Sequence, residues 1–466
     1  MPHRPGPEMN GARFDGVLYC QGDHGYETAR LDAVWNERKP DRYPEAILLA
    51  ASDEDVAAAV RLARREGLSV SVRSGGHSWV GNGVRDGVLL VDLSQLQGIE
   101  VDAQARTAAV RPATRGPQLL DALAEHRLFF PTGHASTVGI GGFSLGGGYG
   151  WNSRTFGPAC LSIRAIDVVL ADGTMVHADD ETHPDLLWAA RGSGPGFFGI
   201  VTRFYFDVYP VHDQLLRSSY IYPLGLRDEV FGWSLECLEE LPAAVEMSAK
   251  VGFSPGFDEP AVTLNAVAFC ADGAGSELLG LLESAPFRTY AARATVAAKM
   301  TMPDLYAAAD SGTPKGWRYA VDGIWCDGPA DRIIAAAGPL LDVPSSNSFL
   351  LWMLWGQYPE VPNACWSAQA PLYLSPNAVW SDPDDDLRHE QWAHGALAEM
   401  AHLSKGLQFS DNNLADRPDD GLSPRNQHRL EQIRATFDPD NLFCTYMRAG
   451  ESTTMLARAR RTRQDA

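Results

Sequence analysis

The sequence has no long apolar run and no apolar core of a secretion signal near its start. No stretch approaches the roughly 18 apolar residues of a membrane-spanning helix, so we expect no such span. Residues 1–12 contain no apolar segment of the kind that a signal sequence needs. The sequence therefore predicts a cytoplasmic protein without a membrane partner.

Closely spaced cysteines and a surplus of basic residues are also missing. The seven cysteines are widely scattered, and none forms a Cys-x-x-Cys pair. We therefore expect neither a metal site nor a disulfide framework. The 59 acidic and 39 basic residues give a net charge of −20, which repels nucleic acid and anionic membranes. Nucleic acid is thus not an expected partner.

The length and the hydrophobic pattern indicate more than one domain. The 466 residues are too many for one compact core and predict two or three subdomains. Up to about residue 209, apolar runs alternate with amphipathic segments, such as a predicted helix over Asp53–Glu66 that ends at Gly67. Residues 211–400 instead predict an α+β domain with one large antiparallel sheet and a long helix over residues 381–400.

Two glycine-rich stretches lie in the first part of the chain. Residues 71–78 read Ser-Val-Arg-Ser-Gly-Gly-His-Ser, and residues 139–150 contain seven glycines. Glycine turns bring bare amide N–H groups against a ligand, which suits a phosphate or pyrophosphate. Either stretch alone could be a flexible connector. Together they can clamp a large, flat dinucleotide without a Rossmann fold.

Three familiar motifs occur in the wrong setting. Residues 194–199 match Gly-x-Gly-x-x-Gly, but a predicted helix precedes them and a strand follows, the reverse of a Rossmann fingerprint. Residues 142–146 match Gly-x-Ser-x-Gly around Ser144, yet their flanks look irregular, so a serine hydrolase is the less favoured alternative. His389, Glu390 and His394 resemble a zinc motif, but a five-residue spacing separates the histidines by about 140° on a helix. We expect these three side chains to be solvated.

Four segments carry the motifs of a known family. They are Arg-Ser-Gly-Gly-His at 73–77, the glycine-rich stretch at 133–151, Gly-Ser-Gly-Pro-Gly-Phe-Phe-Gly at 192–199 and Asp-Pro-Asp-Asn-Leu-Phe at 438–443. Together they resemble the berberine-bridge-enzyme-like FAD-linked oxidases of the vanillyl-alcohol-oxidase superfamily. The resemblance covers nearly the whole chain.

The resemblance implies a PCMH-type FAD-binding domain of two α/β subdomains, with an α+β substrate domain built on a large antiparallel sheet. The FAD-binding domain would span residues 1–210, with its PCMH-type part at about 42–209. The substrate domain would span 211–405, and residues 406–466 would return to the FAD-binding domain. The residues that the resemblance places against FAD are Arg73, Ser74, Gly75, Gly76, His77, Ser78, Thr137, Val138, Gly139, Gly141, Gly142, Gly147, Tyr149, Gly199, Ile200 and Val201.

Several positions refine what the resemblance implies. His77 would bond covalently to the flavin, and Ala135 stands where many relatives have a second flavin-linking cysteine, so a single covalent bond is expected. Val138 matches a position where a small residue admits oxygen, which favours an oxidase. Tyr149 matches a catalytic tyrosine of some relatives. The second tyrosine of those relatives is absent before the C-terminal helix, and Tyr446 is the expected substitute.

The sequence thus predicts an FAD-dependent oxidase, a monomer or homodimer, that takes a hydride from an alcohol or amine carbon and reduces O2 to hydrogen peroxide. An aromatic or polycyclic small molecule is the expected substrate. Oxidative ring closure or rearrangement, and a flavin-bound protein with little turnover, stay open as alternatives. The aromatic residues expected to form the substrate walls are Tyr220, Tyr222, Trp325, Trp352, Trp355 and Tyr373.

Overall fold

The computed structural model describes residues 13–356, 358, 361–367, 369–417, 421–448 and 451. Residues 1–12 and the end of the predicted C-terminal segment lie outside the described residues. Helices surround three main sheets of four, five and eight strands, so the predicted mixed architecture is confirmed. Across the described ranges, no helix is long and apolar enough to cross a membrane.

The four-stranded sheet leads into the first glycine loop. Its strands, in spatial order, are Val17–Cys20, Ala46–Leu49, Val88–Asp92 and Ser69–Arg73. Helix Asp53–Glu66 packs against it and has the predicted bounds. The helix begins where Ser52 Oγ accepts the Asp55 amide at 3.2 Å, and it ends at Gly67, whose φ of 67° is left-handed. Helix Tyr26–Asp32 connects strands Val17–Cys20 and Ala46–Leu49.

The five-stranded sheet is antiparallel and carries the second glycine loop. Its strands, in spatial order, are Ile99–Asp102, Thr107–Val110, Ile200–Asp207, Ile163–Val169 and Met175–Ala178. Its helices are Gly116–Ala124, Ile140–Leu145, Ser153–Phe156 and Pro184–Ala190. The helix at Ile140–Leu145 was not predicted, because glycine disfavours helix. The amide of Ile140 donates to Thr114 and that of Gly141 to Pro112, each at 2.9 Å, so tertiary contacts hold this segment.

The eight-stranded sheet confirms the large antiparallel sheet that the sequence predicted. Its strands, in spatial order, are Arg293–Met300, Gln214–Pro223, Ala261–Cys270, Val245–Gly252, Phe349–Leu354, Leu372–Trp380 and Arg318–Val321, and Ile324–Cys326 also pairs with Leu372–Trp380. The helices in this part are Arg227–Glu236, Gly275–Leu278, Gly280–Glu283, Met302–Asp310 and Ala330–Ala336. The helix at Arg227–Glu236 covers one face, where Phe231 stacks on Trp352 with ring centroids 4.4 Å apart.

The predicted continuous helix over residues 381–400 is broken. It consists of a 3₁₀ turn at Pro383–Asp385, an α-helix at Asp386–Glu390, a π-helical turn at Gln391–Gly395 and a short helix at Ala396–Glu399. The expected solvated His389, Glu390 and His394 are instead buried. Glu390 pairs with Arg38, and His394 Nδ1 lies 3.0 Å from Asp322 Oδ2. These partners compensate the burial of Glu390 and His394, whereas His389 stacks on Trp380 with ring centroids 4.6 Å apart. Among the described residues, no group of His, Cys, Asp or Glu could hold a metal ion.

The C-terminal segment returns to the four-stranded sheet. Helix Pro424–Phe437 begins after Ser423, whose side chain caps it by accepting the Asn426 amide. The Asp438 carboxylate then accepts the amides of Leu442 at 2.7 Å and Phe443 at 3.2 Å. Phe443 forms a parallel bridge with Val70, one strand residue upstream of the first glycine loop. The domain boundaries at residues 210 and 405 stay a prediction.

Candidate active site

One cavity of about 430 Å³ lies where the glycine-rich segments meet the large sheet. The loop at 73–78, the stretch at 133–149 and the turn at 194–199 contribute one side. The sheet contributes Leu351, Met353, Trp355, Tyr373 and Asn377 on the other. Segments far apart in the sequence thus form a single site.

The two glycine loops touch through their main chains. A Cβ atom added to Gly75 would lie 2.7 Å from the Gly139 amide nitrogen, and one added to Gly139 would lie 3.0 Å from the Gly75 Cα. Gly76 has a φ of 70°, which favours glycine. Side chains at these positions would force the loops apart.

The first loop also presents unused hydrogen-bond donors. None of the amides from Gly75 to Ser78 donates a hydrogen bond to another described residue, although this loop lines the cavity. Successive free amides in a turn bind anionic oxygens such as those of a pyrophosphate. The donors and the glycine contact therefore fit a flat, phosphate-bearing cofactor such as FAD.

His77 stands at the rim of this loop. Its Nε2 lies 2.8 Å from Thr137 Oγ1, and its ring stacks on Trp35 with centroids 4.4 Å apart. Burial lowers the pKa of His77 to about 4. The imidazole is consequently neutral near pH 7, the form that can act as a nucleophile.

Most residues that the resemblance placed against FAD line the cavity. Those that do are Arg73, Ser74, Gly75, Gly76, His77, Ser78, Val138, Gly139, Gly141, Gly142, Tyr149, Gly199 and Val201. Thr137, Gly147 and Ile200 do not. Thr137 instead contacts His77, and Ile200 is a fully buried strand residue. Arg73 also pairs with Asp92 at 2.9 Å, which anchors the loop to the neighbouring strand.

Tyr149 lies in the cavity wall among tryptophans. Its hydroxyl accepts a hydrogen bond from Trp366 Nε1 at 2.8 Å, and its ring centroid lies 4.8 Å from that of Trp325. Burial raises the pKa of Tyr149 well above its usual value. The phenol is therefore neutral and retains a proton to donate.

Tyr446, the other predicted catalytic tyrosine, lies outside the cavity wall. Its hydroxyl donates to the Ser193 carbonyl at 2.8 Å, and its ring stacks on Phe409 with centroids 4.9 Å apart. Phe443, Cys444 and Thr445 line the cavity, but Tyr446 does not. The tyrosine supports the turn at 194–196 from behind, where a Cβ on Gly196 would overlap it.

The substrate wall was only partly predicted. Trp355 and Tyr373 line the cavity, and Trp325 packs between Tyr373 and Tyr149. The prediction is wrong for Tyr220, Tyr222 and Trp352, which lie in the core between the sheet and its helices. Side chains alternate between the two faces of a strand, so Leu351 and Met353 face the cavity while Trp352 faces away.

Asp411 is a cavity residue that the sequence reasoning missed. It follows no recognisable motif, and the chain brings it to the site through a loop after the broken helix. Trp79 Nε1 donates to Oδ1 at 3.2 Å and the Tyr373 hydroxyl to Oδ2 at 3.0 Å. Burial raises the pKa of Asp411.

Ser144 does not have the surroundings of a hydrolase nucleophile. It is fully buried inside helix Ile140–Leu145, and within the described residues its Oγ has no hydrogen-bond partner. A nucleophile needs a general base within hydrogen-bond reach. The serine-hydrolase alternative is therefore not supported.

Comparison with known proteins identifies the family. Residues 44–179 match the FAD binding domain model FAD_binding_4. The FAD-linked oxidoreductase nodO of Hypoxylon pulicicidum is 31% identical over 420 residues, which cover 89% of this chain and 93% of nodO. The chain belongs to the FAD-linked oxidoreductases. The family prediction is confirmed.

Solved structures agree on the fold. The 6-hydroxy-D-nicotine oxidase of Arthrobacter nicotinovorans superposes with a TM-score of 0.82 at 23% identity, covering 94% of this chain and 98% of its own. Physcomitrella patens BBE-like 1 superposes with a TM-score of 0.80 at 22% identity, covering 92% of this chain and 96% of its own. Two structures of Phl p 4 each superpose with a TM-score of 0.76 at 20% identity, again covering 92% of this chain and 96% of their own. The wild type is described as a glucose dehydrogenase, and an isoleucine-to-valine variant is described as a glucose oxidase.

Proposed function

We propose that the protein is an FAD-dependent oxidase that removes a hydride from an alcohol or amine carbon of a small aromatic or polycyclic substrate and reduces O2 to hydrogen peroxide. The observation that carries this proposal is the shared cavity. The glycine loops with their free amides and the aromatic face of the large sheet border the same space. A cofactor and an apolar substrate held there would be in contact.

His77 is proposed to hold the cofactor covalently and alone. Its neutral imidazole is suited to form the bond, and Thr137 fixes the orientation of the ring. Ala135 lines the cavity at the position of the second linking residue in relatives, and its methyl group cannot form such a bond. Bound FAD would supply the hydride acceptor and, on reoxidation, the electrons that reduce oxygen.

Val138 is proposed to leave room for oxygen. It lines the cavity as part of the second glycine-rich stretch. By the resemblance it stands where residue size decides oxygen access, and the Phl p 4 pair, a dehydrogenase whose isoleucine-to-valine variant is an oxidase, supports the same dependence. A valine here thus favours oxygen as the electron acceptor.

The cavity walls suggest how a substrate would be held. Trp79, Trp355, Met353 and Leu351 offer flat and apolar surface, which suits an aromatic ring system better than a sugar chain. The Tyr149 hydroxyl oxygen accepts a hydrogen bond from Trp366 Nε1. Its proton therefore remains available for a hydrogen bond to a substrate oxygen or nitrogen. We infer that Tyr149 orients the reacting group.

Purified protein tests the proposal in two steps. Flavin that stays with the polypeptide after acid precipitation, and is lost from the pellet in His77→Ala, supports the covalent bond. A peroxidase-coupled screen of aromatic alcohols and cyclic amines then tests turnover. Free flavin in the wild-type supernatant would refute the covalent bond, and a screen without peroxide would refute the oxidase.

The same screen addresses oxidative ring closure. The aromatic residues of the wall, such as Trp79 and Trp355, can hold a polycyclic substrate in one pose, which ring closure requires. Simple oxidation and oxidative ring closure both remove two hydrogens, so their products have the same mass. Treatment with a carbonyl reagent distinguishes them, because only the carbonyl product of simple oxidation forms an adduct of higher mass. Little turnover is the weaker alternative, because the cavity wall holds a hydrogen-bonded pair of titratable residues, Tyr373 and Asp411.

A further inference from the structure

Tyr373 and Asp411 face the cavity as a hydrogen-bonded pair. The Tyr373 hydroxyl donates to Asp411 Oδ2 at 3.0 Å, and Trp79 donates to Oδ1 at 3.2 Å. The Tyr373 ring centroid lies 5.0 Å from that of Trp325, which packs in turn on Tyr149. The pair therefore lies beside the tyrosine proposed to orient the substrate.

We propose that Tyr373 and Asp411 are catalytic residues that together accept the hydroxyl or amine proton of the substrate, which rests on the proposed oxidase function. The substrate O–H or N–H bond breaks as its proton moves to the Tyr373 oxygen, and Tyr373 passes its own proton to Asp411. The substrate carbon loses a hydride, which carries both electrons of the C–H bond, and bound FAD would supply the hydride acceptor. The Asp411 proton leaves with reduced oxygen, so substrate and O2 balance against carbonyl or imine and hydrogen peroxide.

A buried cluster positions Asp411. The fully buried Asp322 carboxylate accepts from Arg417 Nε at 2.9 Å and Nη2 at 2.7 Å, and from Asn412. The Gly323 carbonyl accepts from Asn412 at 2.8 Å and from Arg417 at 2.7 Å. These bonds tie residues 322–323 to residues 411–417. Asp322 and Arg417 are thus positioning residues.

Gly323 positions the other member of the pair. A Cβ atom at residue 323 would overlap the Tyr373 hydroxyl oxygen and lie 2.8 Å from Cε2 of its ring. The hydroxyl fits against Asp411 only because residue 323 has no side chain. Both members of the pair are therefore fixed by the same short segment.

The surrounding charges are consistent with proton acceptance. Burial and, to a smaller extent, the Asp322 carboxylate raise the pKa of Asp411. The hydrogen bonds from Trp79 and Tyr373, together with His134, lower this pKa, but burial has the largest effect. Burial and Asp411 raise the pKa of Tyr373 well above its usual value, against a smaller lowering by Arg417. Asp411 is consequently a stronger base than an exposed aspartate, and Tyr373 keeps its proton until Asp411 takes it.

His134 is the competing acceptor on this wall. Its Nε2 lies 2.7 Å from Glu246 Oε1, and its ring packs edge-on against Trp151 with centroids 4.3 Å apart. The bond to Glu246 can orient it as a base. A test must therefore separate His134 from Asp411.

The test uses 4-fluorophenol, an aromatic hydroxyl without an oxidisable C–H bond next to its oxygen. Its ¹⁹F resonance reports occupancy and O–H proton transfer in the flavin-loaded protein. The wild type should bind it more weakly as the pH falls and Asp411 takes a proton. Asp411→Asn should weaken binding at least about tenfold, as expected for a hydrogen bond to a charged group, and remove the pH dependence. Tyr373→Phe should weaken binding without removing all pH dependence.

Tyr220→Phe is the matched control. Its hydroxyl also donates to a carboxylate, that of Glu283, but it lies in the core behind the sheet. This variant should bind the phenol like the wild type. Loss of the pH dependence in His134→Gln but not in Asp411→Asn would overturn the proposal, as would no binding by the wild type.

Turnover provides a second readout. With a compound that the peroxide screen identifies, Asp411→Asn should lower the rate of anaerobic flavin reduction about 10²- to 10⁴-fold and abolish its rise with pH. A protein that binds the phenol as expected but makes no peroxide would refute the oxidase, and with it the catalytic role, while the pair would stand as a binding site for a substrate hydroxyl. Unchanged reduction in Asp411→Asn would refute the pair alone.

Discussion

Replacing Gly75 by alanine should separate the two glycine loops and impair cofactor loading. The new Cβ would lie 2.7 Å from the Gly139 amide nitrogen and 3.0 Å from its Cα, where 3.4 Å is ordinary contact. Both atoms belong to the main chain, so no side chain can rotate away. The loops must move apart by about 0.7 Å. Overpacking of this kind costs about 1–3 kcal/mol.

We expect this cost to weaken cofactor binding, because the proposed FAD site is bordered by both loops in the arrangement that the alanine would disturb. A loss of 1–3 kcal/mol corresponds to about 5- to 150-fold weaker binding. We therefore expect Gly75→Ala to be purified with little flavin, measured as the ratio of absorbance at 450 and 280 nm. Reconstitution with added FAD should need correspondingly higher concentrations.

Gly232→Ala is the control for this experiment. Gly232 lies within helix Arg227–Glu236, and a Cβ there would meet no atom within 4 Å. Alanine in a helix is favoured over glycine by about 0.5–1 kcal/mol, so this variant should load flavin normally and unfold at a slightly higher temperature. Full flavin content in Gly75→Ala, with an unchanged Tm, would refute the inference that the loop contact builds the cofactor site.

Three further predictions concern other parts of the site. In flavin-free protein, the lowered pKa of His77 contributes stability that is present above its unfolded value of 6.5 and lost as the pH falls through about 4. The loss amounts to about 3 kcal/mol at most. Denaturant titrations of His77→Gln should not show this loss of stability at low pH. Gly323→Ala should displace the Tyr373 hydroxyl and reproduce the weaker phenol binding of Tyr373→Phe, with normal flavin content. Val138→Ile should slow flavin reoxidation by O2 in stopped-flow experiments while anaerobic reduction stays within about twofold, and equal reoxidation would contradict the role of Val138.

Local signals were sufficient to predict much of the fold. Ser52 and Gly67 mark the two ends of helix Asp53–Glu66, because a capping hydroxyl and a left-handed glycine act within a few residues. The glycine loops were predicted for the same reason, because the glycines that allow close approach of the main chain are visible in the sequence. The helix at Ile140–Leu145 escaped prediction because its support comes from Thr114 and Pro112.

Longer-range contacts explain the wrong predictions. Glu390 and His394 looked solvated because their partners, Arg38 and Asp322, are distant in the sequence. The aromatic residues of the large sheet could be assigned to strands but not to a face. Which face meets the cofactor depends on how the sheet packs, and a shift of one residue exchanges Trp352 with Met353.

The proton-accepting pair could not be predicted from the sequence for the same reason, because its members come from distant segments. Tyr373 comes from a central strand, Asp411 from a loop after a broken helix and Gly323 from a turn between two strands. None of the three residues is unusual in its own neighbourhood, and no spacing between them recurs as a motif. Their chemistry appears only when Asp322 and Arg417 join the segments, because a base is defined by its surroundings rather than by its residue type. The cofactor loops need a particular backbone and can be predicted from sequence, whereas the proton acceptor needs a particular juxtaposition and can differ between relatives that share those loops.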